Sequence, residues 1–82
     1  MTFELYKEVA LTRDLPEHCL RAGDLGTLVD LVEHPSGGEV GCVLEIFNAV
    51  GESIAVVVVP QSAVEVLRSD EILSVRPFAR AS

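Results

Sequence analysis

The chain has 82 residues, room for one domain, and carries thirteen carboxylates against six Lys and Arg for a net charge of −7. That balance argues against nucleic acid, whose binding rests on cations neutralising phosphates, and against anionic membrane surfaces. Hydrophobic residues make up 49% of a chain this short, which buries only about 60–65% of its unfolded surface, so part of the apolar material is expected outside as a contiguous patch.

Short apolar runs separated by turn residues predict an all-β domain. After an N-terminal extension over residues 1–6, the first strand is expected at Glu8–Leu11. A long connection follows over residues 12–26, polar at its start, with Leu15, Leu20, Ala22 and Leu25 to anchor it on a core. Within it, Asp24 is suited to capping its own turn, and Gly26 to a bend or a close backbone crossing. Residues 27–32 read as the second strand, stopped by Pro35-Ser36-Gly37-Gly38, and residues 40–47 as the third. Asn48-Ala49-Val50-Gly51 predicts a tight hairpin with Gly51 at positive φ, leading into a fourth strand over 53–59.

Pro60 ends that strand. Residues 61–67 then read as a helical turn, with Ser62 and Glu65 in capping-box spacing. A closing strand is expected over 72–76, stopped by Pro77, and a frayed tail over 78–82. Five strands, a long first loop and a short helical turn before the last strand give the connectivity of a small SH3-like barrel. An open sheet with a helix running on to Glu71 is the competing reading.

The third strand carries Val40, Cys42, Leu44 and Ile46 on one face, with Val43, Glu45 and Phe47 on the other. In the fourth, Val56, Val57, Val58 and Val59 are consecutive, so neither strand has the alternation of a sheet with one wet face. One triplet of the fourth strand must therefore face out, around the second hairpin. Such a surface serves a subunit or partner interface, unless the 12–26 loop or the C-terminal tail folds over it.

Nothing in the sequence assembles a reaction centre. His18, Cys19, His34 and Cys42 lack the close ligand pairs of a zinc site, and the scattered carboxylates show no desolvated pair for acid–base work. The expectation is a non-catalytic protein with no cofactor, no metal and no small-molecule substrate. Residues 1–7 include Glu4 and no apolar run, so no signal peptide is read there. The longest apolar run, 54–60, is too short to cross a bilayer. Two cysteines make no disulfide framework, and a cytoplasmic, reduced protein is expected.

The stretch EVALTRDLPEHCLRAGDLGT over residues 8–27, followed by EIFNAVGE and SIAVVVVP, resembles the family of short bacterial proteins described as domain of unknown function 4926, over about residues 7–77. The resemblance implies an SH3-like fold whose A-G-D-x-G-T turn is similar to the opening of KOW-type barrels. Some members are encoded beside toxin-like genes, which implies an antitoxin or immunity role. The chain departs from the pattern in its N-terminal extension and in the strongly hydrophobic fourth strand.

Two functions are expected from these observations. The first is a protein-binding module, most concretely the acidic partner of a basic toxin. Asp14, Glu17, Asp24, Glu45 and Glu52 would steer the approach, and Phe47, Val57 and Val59 would supply apolar contact. The second is a self-assembling homo-oligomer, or an accessory subunit of a larger complex, joined through the fourth strand or the second hairpin.

Overall fold

The computed structural model describes residues 3–78. Among them are five strands, two short 3-10 turns and no α-helix: β1 Glu8–Leu11, β2 Leu25–Val32, β3 Gly41–Phe47, β4 Ser53–Pro60 and β5 Val64–Val66. All five form one antiparallel sheet in the order β4-β3-β2-β1-β5. β4 and β5 are its two edges, so the sheet is open, not hydrogen-bonded into the closed barrel expected from the sequence.

β1 and β3 fall where the apolar pattern places them, to within one residue. β2 starts earlier than expected because Leu25 and Gly26 already pair with Ala10 and Val9. Gly26 therefore lies inside the strand. An added Cβ there would stand 3.0 Å from Ile46 Cδ1 and 3.2 Å from Leu44 Cβ, which is the close crossing its position predicts. The second hairpin is also as expected. Gly51 has φ +86°, and the Asn48 carboxamide oxygen accepts from the amides of Val50 and Glu52, an Asx-type turn.

The fifth strand is elsewhere. Residues 72–76, expected to close the sheet, contain no strand, and Val64–Val66 pairs instead with the free side of β1 (Val9↔Val66, Leu11↔Val64). The expected helical turn shrinks to the 3-10 turn Gln61–Ala63. Its capping box does not form: the Ser62 amide and hydroxyl both bond the Glu39 carboxylate, at 2.8 and 3.1 Å. Thr12 seats the turn on the end of β1, its amide donating to Ala63 O at 2.8 Å and its hydroxyl to Ser62 O at 3.1 Å. With the chain delivered beside β1, the alternating Val-Glu-Val continues as a strand.

The core is built from Val9, Leu11, Leu28, Cys42, Leu44, Ile46, Val57, Val59 and Val64. The loop between β1 and β2, residues 12–24, closes it by burying Leu15 and Leu20, through the bridge that pairs them and the 3-10 turn Pro16–His18 between them. Of the N-terminal extension, Met1 and Thr2 lie outside the described residues, while Phe3 packs on the core. Of the expected tail, residues 79–82 lie outside them too, and Phe78 is half-buried against the core.

Candidate outer-face binding site

Residues directly opposed in an antiparallel sheet point to the same face. The row Leu28, Leu44, Val57 points inward; the rows Asp30, Val43, Val58 and Val32, Gly41, Pro60 point outward, as do Glu45 and Val56. The fourth-strand question is thereby resolved. Val57 and Val59, expected as partner contacts, are core residues at 8% and 2% exposure, and the outward residues are Val56 and Val58, at 62% and 55%. The register of β3 decides this, because its inward set Cys42, Leu44, Ile46 pairs with Val59, Val57 and Ala55.

The outward valines form one surface. A Cβ at Gly41 would lie 2.9 Å from Val32 Cγ2 and 3.1 Å from Val58 Cγ1. The bare glycine thus lets side chains from β2 and β4 approach each other over the middle strand. Val43 and Val56 extend the patch along the sheet. Among the described residues, neither the loop after β1 nor the C-terminal segment covers Val56 and Val58, which both stay exposed.

Carboxylates border the patch. Glu45 stands opposite Val56 and accepts from the Ser53 hydroxyl at 2.7 Å. Asp30 is exposed next to the Val43–Val58 row. Asp14 and Glu17, far away in sequence, share a shallow hollow with Val58 and Pro60 at the end of β4. Asp14 is fixed there by accepting from the Ala22 amide at 2.9 Å. Glu52 belongs to the hairpin turn, where its carboxylate accepts from Asn48 Nδ2 at 2.7 Å.

Asp24 and Phe47 lie apart from this surface. Both line a groove at the other end of the molecule, between the β1–β2 crossing and the C-terminal segment. Asp24 does cap its own turn, accepting from the Arg21 amide at 2.7 Å. It also holds the Arg76 guanidinium, with Nε 2.8 Å from Oδ1 and Nη2 on Oδ2. Burial works to raise the Asp24 pKa, but the hydrogen bonds from Arg76 and the Arg21 amide, with the nearby positive charges, leave it below the ordinary aspartate value of 3.8. The Arg76 pKa is raised, chiefly by the hydrogen bond to Asp24. Sequence reading placed Arg76 in a strand and missed this role, because its partner lies 52 residues away. Gly41 was also missed, although a glycine inside a strand is a signal of close approach.

Among the described residues no polar or charged side chain is buried, and no three His, Cys, Asp or Glu gather to hold a metal ion. The Cys42 thiol is shut in the core, its pKa raised by burial and by the Glu39 charge. What this surface offers is apolar contact with carboxylates along its border, joined by Arg13 in the hollow at the end of β4. The family model described as Domain of unknown function (DUF4926) matches residues 5–66. No curated protein and no solved structure matches the chain.

Proposed function

The chain belongs to the DUF4926 family, and we propose that it is a non-catalytic protein-binding module whose outer valine face takes a basic protein. The observation that carries the reading is the patch of Val32, Val43, Val56 and Val58 bordered by Asp14, Glu17, Asp30 and Glu45. Its centre is apolar and its rim charged, the division of labour found in protein interfaces. The negative rim would speed encounter with a cationic partner and reject acidic ones. With thirteen carboxylates against six Lys and Arg, the whole chain reinforces that preference. The partner we propose is a small basic protein of the toxin type that the family resemblance implies, met in the cytoplasm.

The fold we read behind this is an SH3-like barrel left open. The long loop between β1 and β2, the meander β2-β3-β4, the 3-10 turn and the return of β5 to β1 support that reading.

A second reading, self-assembly, draws on β4, eight residues long, being an edge strand of the sheet formed by the described residues. Light scattering across a range of concentrations, on the wild type and on Val58→Asp, separates the two. A monomer that captures a basic protein from its host, loses it in Val58→Asp and binds more weakly at high salt supports the first. A stable oligomer that Val58→Asp dissociates replaces it with the second. A monomer whose capture of basic protein is indifferent to Val58→Asp overturns the outer face as the site.

A further inference from the structure

The C-terminal segment lies beyond the family match, which ends at residue 66, and it is held in an unusual way. A turn at 68–71 is closed by the Glu71 amide donating to Arg68 O at 3.1 Å and the Arg68 amide donating to the Glu71 carboxylate at 2.6 Å. Residues 72–75 then run past the body with Ile72 94% and Val75 89% exposed. Among the described residues their backbone makes no hydrogen bond. Attachment resumes at Arg76, which binds Asp24 with two nitrogens and the Cys19 carbonyl at 3.3 Å, and at Phe78, packed on the core.

Beneath the segment runs the groove already mentioned. Leu25, Ile46 and Ile54 give it an apolar lining, and Glu8, Glu65 and Glu71 bring carboxylates to it. The strand-like run 72–75, apolar except for Ser74, gains little burial by lying over it. The two ends hold it there, and the arginine end shows what the site selects. A planar guanidinium matched to both carboxylate oxygens, with a carbonyl as third acceptor, uses the fork of arginine in a way that a lysine ammonium cannot reproduce.

We propose that this groove is a second binding site, distinct from the valine face, for an extended peptide segment bearing an arginine, and that residues 72–78 are its resident ligand in cis. The remaining carboxylates at the groove suit a cationic incoming segment. The tether keeps the resident ligand at an effective concentration on the order of millimolar, so a partner's segment must displace Arg76 from Asp24 before it can bind.

The test uses the full chain and a synthetic peptide of residues 67–78, followed by amide and arginine Nε–H resonances. Arg76→Ala in the chain vacates Asp24. The peptide is then expected to bind, shifting the resonances of Cys19, Asp24 and Leu25, at least about tenfold more tightly than it binds the wild type, whose own tail competes. Peptide with Arg76→Lys should bind roughly tenfold more weakly, as befits a lost bidentate contact. Asp24→Asn in the Arg76→Ala chain should weaken binding similarly. A folded Arg76→Ala chain that ignores millimolar peptide, or binds the arginine and lysine peptides alike, overturns the proposal. Should Arg76→Ala fail to fold, the wild type is titrated with peptide above millimolar concentration. Displacement of the Arg76 Nε–H resonance is then expected, and its constancy overturns the proposal.

Discussion

β4 presents the same residue type on both of its faces, and the two faces have different fates. Val57 and Val59 lie in the core, paired with Leu44 and Cys42, whereas Val56 and Val58 stand in solvent beside carboxylates. Each inward valine is stabilised by burial of its methyl groups and by close packing. Each outward one leaves apolar area in water and invites edge pairing, a cost that a purely structural strand would avoid with polar residues. The difference separates what folding requires of β4 from what it does not require, and the second set is where a binding role is to be sought.

Placing a charge on each face is the sharpest way to test that division. Val59→Asp buries an unpaired carboxylate, which costs several kcal/mol, a large share of the roughly 5–15 kcal/mol that holds a domain together. Loss of the cooperative thermal transition is expected. Val59→Ala should cost about 2 kcal/mol, from the methyl groups removed and the void left behind, as read from urea midpoints. Gly26→Ala puts a Cβ against Ile46 and Leu44 at 3.0 and 3.2 Å and should cost about 1–3 kcal/mol by overpacking. Val58→Asp should cost no more than about 1 kcal/mol, the span of strand propensity at an exposed site. If it unfolds the chain instead, Val58 is structural and the comparison between the faces fails.

The smallest effect concerns Asp24. Its pKa in the fold lies below the ordinary aspartate value of 3.8, so its stabilising contribution is complete above that value and is lost as pH falls from there through the folded-state pKa. Melting temperatures of wild type and Asp24→Asn should therefore differ at pH 6 and draw together as pH drops below 3.8. A difference unchanged down to pH 2 would show that the ionised carboxylate is not what holds Arg76.

Local patterns carried β1, β3, β4, the Asn48–Gly51 turn and the crossing at Gly26, because each is set by residues adjacent in sequence. The inward set of β4 was not legible, since 54, 56, 58 and 55, 57, 59 are both wholly apolar and only pairing with β3 distinguishes them. The last strand failed for a related reason. Val64-Glu65-Val66 and the 72–76 run are both strand-like, and the choice between them depends on which reaches the free side of β1 first. The 3-10 turn anchored at Thr12 gives that to the nearer one, with the shorter loop to close. Asp14 and Glu17 stand at the end of β4 because of the loop's path, which no local pattern sets. Arg76 carried no local signal at all.

The pairing of β1 with β5 has a kinetic consequence. β2, β3 and β4 join by neighbouring hairpins, whose contacts form quickly because little chain entropy is lost in bringing them together. β5 must find β1 across nearly the whole matched domain, three residues against three. It should dock late in folding and open first in the native state, with amide exchange at Val64–Val66 faster than in β3. Whatever opens β5 also slackens everything downstream of it, so the grip of Arg76 on Asp24 should loosen in step with the weakest strand of the sheet.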